Sequence, residues 1–250
     1  MLIALTNAVS PKLVDLYNAV DYELARHQQE NYEHELAACG VNVKHLAVNE
    51  SFPDGCFVED TAIVVDELAL ITTMGKETRR GEPAAIAEEI GKYRKTVEID
   101  NQASIDGGDV LRIGKEIFVG LSERTNIQAV NELDRFLIPF GYRVSPVEVF
   151  GGLHLKTACT MLDDETLLLN PAWVNIAPFE NFKLLQVAEG EPLAANTICI
   201  EGKIFLQAGF PKTIEKVQKN FDNTAVIDIS EFIKAEAGLS CLSIIFRRDI

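Results

Sequence analysis

Gly238-Leu-Ser-Cys241-Leu-Ser-Ile-Ile-Phe246 places one cysteine just behind a glycine and at the head of an apolar run. A thiol mounted on a glycine-initiated turn at the start of a strand can act as a nucleophile, provided other groups manage its proton. Gly151-Gly-Leu-His154-Leu-Lys-Thr157 supplies a histidine with a Gly-Gly approach and apolar flanks. Taken alone, His154 reads more readily as a hydrogen-bonded core residue than as a catalytic one. His27, His34 and His45 fall in or beside the first helical pattern and are expected at the surface. Ser104-Ile-Asp106-Gly-Gly-Asp109-Val-Leu111 frames two glycines with carboxylates. The glycines permit positive φ and close backbone approach. The motif reads either as a hairpin bulge or as a mount for an aspartate that orients a histidine and fixes its tautomer.

A second set of residues suggests what such a thiol would act on. Asp54 lies in a Pro-Asp-Gly turn, while Glu59 and Asp60 stand among Cys56-Phe-Val and Thr61-Ala-Ile-Val-Val65. Adjacent strand residues face opposite sides, so one of the pair should face a packed interior. A buried, ionised carboxylate without a partner costs several kcal/mol, and clustered carboxylates raise one another's pKa. A guanidinium relieves both penalties, being planar, permanently charged and rich in donors. At about 4 Å and an effective dielectric near 20, one such pair is attracted by roughly 4 kcal/mol. The partner is either an arginine of the chain or a bound cation. Arg79-Arg80 and Arg124, each just past a strand end, suit bidentate capture of a carboxylate, or else are solvated surface residues.

The chain has 250 residues, 47% hydrophobic and 24% charged, with a formal net charge of -15. The acidity disfavours nucleic acid; it reads first as serving solubility, and otherwise as attracting a small cationic substrate. No H-E-x-x-H, paired-cysteine, EF-hand, P-loop or G-x-G-x-x-G pattern is found, so no metal and no cofactor are expected. Five cysteines without disulfide-like spacing point to a reducing, cytoplasmic setting. No segment suggests a signal or membrane span. No linker divides the chain, so residues 1–250 are expected to form a single catalytic domain.

Positioning these residues requires several elements to converge. A pattern recurs about every 40–50 residues: a strand pair, an amphipathic helix and a further strand. The strand pairs are Cys56–Val65 with Leu68–Thr73, Ser104–Ile113 with Glu116–Gly120, Lys156–Leu162 with Thr166–Asn170, and Thr197–Ile200 with Lys203–Ala208. Helices are expected over Val20–Ala38, Pro83–Lys92, Asn126–Phe140, Thr213–Asn220 and Ser230–Glu236. Returning strands follow at Val41–Val48, Thr96–Ile99, Val144–Val149, Leu184–Ala188 and Ala225–Ile229; the fourth unit has a poorly marked helix. The first unit is split, with Cys241–Phe246 expected to pair with Leu2–Thr6 and complete a ring, which removes exposed sheet edges. The result is an α/β fold of about five similar units around one axis. An open parallel sheet is the competing arrangement, disfavoured by the short hairpins.

Phe57-Val-Glu-Asp-Thr, Asp106-Gly-Gly-Asp-Val-Leu, Phe118-Val-Gly-Leu-Ser-Glu-Arg-Thr-Asn, Leu153-His-Leu-Lys-Thr and Leu239-Ser-Cys-Leu-Ser together resemble the dimethylarginine dimethylaminohydrolases of the guanidine-modifying superfamily. The resemblance implies a five-fold pseudosymmetric α/β propeller (pentein). It implies hydrolysis of Nω,Nω-dimethyl-L-arginine, or of an Nω-methylarginine, to citrulline and the departing amine through a cysteine thiouronium. It casts Cys241 as nucleophile, His154 as general acid and base, and Asp106 as its orienter. Asp54, Glu59 and Asp60 would hold the guanidinium, Arg79 and Arg124 would clamp the α-carboxylate, and a short lid would fall near Ser10–Asn18. Asn7 stands where relatives often carry arginine. Sister readings are a deiminase or amidinotransferase acting on another guanidino compound. A reading of another class is a non-catalytic binding protein, since a ribosome anti-association initiation factor resembles the same architecture. The expected partner is a small cationic guanidino amino acid, with no nucleic acid or membrane; oligomeric state is left open, a homodimer included.

Overall fold

Four times along the chain a short apolar strand turns back on itself and the returning strand leads through a connection to a third strand alongside it; in the remaining unit the last strand takes the place of the first hairpin arm. The computed structural model describes residues 1–100 and 102–248. The first unit supplies β1 (Leu2–Asn7), the helical turn α1 (Leu13–Leu16), α2 (Tyr22–Ala38) and β2 (Asn42–Leu46). The second supplies β3 (Ala62–Val64), β4 (Ala69–Ile71), α3 (Pro83–Ile90) and β5 (Thr96–Glu98). The third is β6 (Val110–Ile113), β7 (Glu116–Leu121), α4 (Ile127–Leu137) and β8 (Arg143–Glu148). The fourth opens on the helical turn α5 (Leu155–Ala158), followed by β9 (Cys159–Met161), β10 (Thr166–Leu169) and β11 (Lys183–Gln186). The fifth comprises β12 (Ile198–Ile200), β13 (Lys203–Gln207), α6 (Pro211–Gln218) and β14 (Thr224–Ile227), followed by α7 (Ser230–Ile233) and β15 (Ile244–Arg247).

Each unit forms a three-stranded sheet of one pattern, β3-β4-β5, β6-β7-β8, β9-β10-β11, β12-β13-β14 and β15-β1-β2. In each, the first-named strand runs antiparallel to the middle one, which runs parallel to the third. The local chemistry explains the pattern. Antiparallel neighbours need only a tight turn, such as Glu201-Gly202 with both φ positive (47° and 79°). Parallel neighbours need a crossover, for which four units use a helix. Asp21 and Asn126 cap α2 and α4 by accepting from Leu24 N and Ala129 N. Pro83 and Pro211 open α3 and α6, where a missing N–H costs nothing. In the fourth unit the connection holds only a 3-10 turn, Ala177–Phe179, in agreement with its weak helical signal.

The five first-named strands line one cavity of about 360 Å³, reached by Ile63, Leu111, Thr160, Ile198 and Ile245 among others. Outside these strands, apolar clusters fill the space between sheet and helix; Ala129, Val130, Leu133 and Leu137 of α4 pack against Ile117 and Val119 of β7. At roughly 25 cal/mol per Å², each fully buried leucine contributes about 2–3 kcal/mol relative to an exposed one.

Several strands are shorter than their sequence pattern suggests, and the shortfall has one form. Glu59 and Asp60 lie in a 3-10 turn, Val58–Thr61, ahead of β3. Asp106 immediately precedes the turn Gly107–Asp109, ahead of β6. Lys156 belongs to α5 rather than to a strand. Cys241 lies in the turn Ser240–Leu242, ahead of β15. The chemistry-bearing residues thus cluster at or beside one-turn helices at the entry to the inner strands. Buried turns in this position are as apolar as the strands they feed, so periodicity alone extends the strands across them.

Candidate active site

Consecutive entry turns come close enough that only glycine fits between them. A β-carbon on Gly107 would lie 2.0 Å from the Glu59 carbonyl oxygen, and one on Gly108 would lie 2.6 Å from His154 Nδ1 and 2.8 Å from Asp60 Oδ1. Close approach, rather than positive φ or a hairpin bulge, is what the Gly-Gly pair of this motif provides. The gain is direct: Gly108 N donates to Asp60 Oδ1 at 2.9 Å.

His154 forms the N-cap of α5 and is 3% exposed. The helical turn is docked on Asp109, whose Oδ1 accepts from Leu155 N at 2.8 Å. Asp109 is itself pinned by Ser122 Oγ (2.6 Å) and Thr125 Oγ1 (2.7 Å). Burial pushes the Asp109 carboxyl up, against the pull of cationic His154 and these donors. The imidazole is held between two acids, with Nε2 3.1 Å from Asp106 Oδ2 and Nδ1 3.9 Å from Asp60 Oδ1. Burial opposes the charged ring. The Asp60 charge, the Asp106 hydrogen bond and the nearby Asp109 outweigh it and raise the His154 pKa to about 9. Asp106 is held in turn: its Oδ1 accepts from Gly75 N at 2.8 Å, and its own N–H donates to Thr125 Oγ1.

Cys241 lines a narrow pocket with His154, Asp60, Asp54, Arg79 and Arg124. Gly238 N donates to its sulfur at 3.4 Å. Burial pushes the thiol up to about 12, reinforced by the carboxylates of Glu59 and Asp60. Asp60 is itself ionised: burial resists the charge, but His154, Arg79 and the Gly108 N–H hold its pKa below the ordinary value. The pocket therefore combines a protonated thiol, a charged imidazole and an ionised acid. Cys56 and Cys159 are buried, with thiols pushed up chiefly by burial, and all five cysteines are free.

Two expected roles change on meeting these surroundings. Glu59 does not line this pocket. It faces the larger central cavity, where its oxygens accept from Lys156 Nζ (2.5 Å) and Ser240 Oγ (2.8 Å), and burial raises its pKa. Ser240 faces that cavity while its neighbour Cys241 faces the pocket, so Glu59 supports the cysteine turn from behind. Arg79 is neither solvated nor idle. It is 5% exposed and donates to Asp60 Oδ2 (2.7 Å), to both Glu82 oxygens and to the Phe57 carbonyl. With its Nε and both terminal nitrogens engaged, it is placed to hold Asp60 rather than to clamp a ligand. Arg124 fits the clamp better. Its backbone is fixed by Ser122 and Ser104, and among the described residues its guanidinium makes no ion pair.

Other participants were not among the site residues expected from the sequence. Tyr17, in the segment expected to be a lid, donates to Asp54 Oδ1 at 3.0 Å, and Lys76 Nζ meets Asp54 Oδ2 at 2.7 Å. Asn196 braces the cysteine turn through bonds to Ser240 N and Ser240 Oγ. Asn7 donates to the carbonyls of Val48 and Gly55, tying β1 to the Asp54 loop. The remaining histidines are exposed, as expected.

The family model for eukaryotic N,N dimethylarginine dimethylhydrolase matches residues 3–157. The chain is 32% identical over 228 residues to the N(G),N(G)-dimethylarginine dimethylaminohydrolase of Pseudomonas aeruginosa, covering 90% of each. It is 35% identical over 230 residues to the Streptomyces coelicolor enzyme of the same name, covering 91% of this chain and 88% of that one. A cysteine-to-serine mutant of the Pseudomonas aeruginosa protein, complexed with citrulline, matches with a TM-score of 0.91 at 30% identity over 98% of both chains. The N-terminal domain of a cyanobacterial arginine dihydrolase matches with a TM-score of 0.85 at 18% identity, a likeness of fold alone.

Proposed function

The chain belongs to the dimethylarginine dimethylaminohydrolase family, and we propose that it hydrolyses Nω,Nω-dimethyl-L-arginine, or an Nω-methylarginine, to citrulline and the corresponding methylated amine. The observation that carries this reading is the charged His154 imidazole, held by Asp106 and Asp60, in one pocket with Cys241. The reading treats the chain as a single catalytic domain, with the five units closed into a ring by the β1–β15 pairing.

Cys241 is protonated in the free protein, because burial, reinforced by the Glu59 and Asp60 carboxylates, opposes a thiolate. A guanidinium entering the pocket reverses that balance. Its positive charge is attracted by Asp60 and favours the sulfur anion, the thiol proton passing to water. The thiolate attacks the central guanidine carbon and forms a C–S bond. His154 already carries the proton that dimethylamine needs to leave as the C–N bond breaks. A thiouronium and a neutral imidazole remain. That imidazole takes a proton from water, the resulting hydroxide adds to the same carbon, and the C–S bond breaks as the new O–H gives its proton to the departing Cys241 sulfur, leaving the ureido product and the free thiol. Asp106 keeps the ring oriented and stabilises its charged form. Arg124 receives the α-carboxylate, which aligns the guanidine with the sulfur.

The test is quantitation of dimethylamine, ammonia and citrulline from dimethylarginine and from arginine. Dimethylamine should dominate kcat/KM, and Cys241→Ser should abolish turnover while ligand binding remains measurable. Preferential ammonia release from arginine would make this a deiminase, a requirement for an amine acceptor would make it a transferase, and undiminished turnover in Cys241→Ser would remove the covalent route.

A further inference from the structure

Lys76 follows Gly75, and that glycine is fixed on two sides. Its N–H donates to Asp106 at 2.8 Å, and a β-carbon on it would lie 2.4 Å from the Arg124 carbonyl oxygen. The lysine side chain therefore leaves from a rigid point in the wall of the Cys241 pocket. Its ammonium crosses to Asp54 at 2.7 Å; the Asp54 side chain is 6% exposed and that of Lys76 29%. Tyr17 Oη covers the other Asp54 oxygen at 3.0 Å. Both oxygens of this acid are thus occupied by the protein itself. The pocket is narrow, with about 30 Å³ open to the centre of a water-sized group.

We propose that Lys76 is a specificity-determining residue: it holds Asp54 until a head group bearing both a cation and a carboxylate exchanges partners with that pair. The inference rests on reading the site as one for guanidino amino acids. An α-ammonium can take Lys76's place on Asp54, and the accompanying carboxylate gives the displaced Lys76 a new partner beside Arg124, which makes no ion pair among the described residues. Every charge stays compensated throughout the exchange. A decarboxylated substrate brings only the cation. It must evict Lys76 and leave a partly buried ammonium beside Arg124 with no anion to meet it, which is the costly arrangement. The ion pair thus selects for the carboxylate without needing a direct contact in the resting state.

The test compares kcat/KM for Nω,Nω-dimethyl-L-arginine with that for its decarboxylated counterpart, in wild type, Lys76→Met and Lys76→Arg. Wild type should favour the amino acid. Lys76→Met should reduce that preference tenfold or more, and Lys76→Arg should retain most of it. A wild type that turns over both compounds equally overturns the proposal without recourse to any variant. So does a preference in a folded Lys76→Met protein that stays within twofold of wild type. Failure of the underlying reading looks different: neither compound is turned over by wild type, and mass spectrometry after quenching finds no adduct on Cys241 with either.

Discussion

His154 and Cys241 both titrate above their ordinary values, and Asp60 contributes to each shift. Carboxylates near the imidazole raise its pKa to about 9, while those near the thiol, added to burial, push it up to about 12. The free protein is therefore cationic at His154 and neutral at Cys241 across the neutral range. With a guanidinium substrate that itself promotes thiol ionisation, kcat/KM should hold on the alkaline side and fall as pH passes about 9, where His154 loses the proton for the leaving amine. Asp106→Asn should move that fall to lower pH and reduce kcat by about 10²–10³; a pH profile that keeps its alkaline limb would argue against Asp106 as the orienter. Stability follows the same group. A pKa raised from 6.5 to about 9 on folding contributes stability that is fully present below about 6.5 and is lost as pH rises through 9. The melting temperature should decline over that window, and His154→Asn should flatten the decline.

One-turn helices at the entry to the inner strands are the elements that make the site. The acids, the histidine and the cysteine were legible as residue types because charged or nucleophilic groups stood in apolar surroundings. Their element was not legible, because Val58–Thr61 and Ser240–Leu242 are as buried as the strands they precede and too short to show a helical period. Glu59 and Asp60 illustrate the consequence. Strand alternation anticipated that they would face different environments, and they do, one toward each cavity, but a 3-10 turn is what separates them. Arg79 could not be told from a surface arginine, since its partner Glu82 is only three residues away and the pair looks like an ordinary exposed one. Lys76 and Tyr17 gave no pattern at all; only the chain's return to Asp54 reveals them. The glycines test the element-scale account. Gly108→Ala should displace the imidazole and lower kcat at least a hundredfold while the melting temperature shifts little. Gly107→Ala, which drives a β-carbon into backbone, should destabilise the fold outright. Equal loss of stability in both would mean that Gly108 serves packing rather than the site.

At the scale of the whole molecule, the recurring strand-pair pattern and the pairing of the first and last strands were both readable, because each unit repeats the same hairpin and crossover. Leu2–Leu5 indeed pair antiparallel with Ile244–Arg247. Phe246 joins this sheet to the next unit. It is 5% exposed, packs with Ile3, Ala62 and Ile86, and meets Tyr93 edge-on at 5.6 Å. Phe246→Ala should cost about 3–5 kcal/mol, seen as a lower urea midpoint with an unchanged m-value; a loss under 1 kcal/mol would mean that the units are held together elsewhere. The β1–β15 pairing also bears on biosynthesis. The first strand leaves the ribosome early, while its antiparallel neighbour, with the nucleophile's turn just ahead of it, is translated after every other strand described. A growing polypeptide can gather its acids and imidazole in advance, yet it stays chemically silent, with one strand edge unprotected, until that closing segment docks.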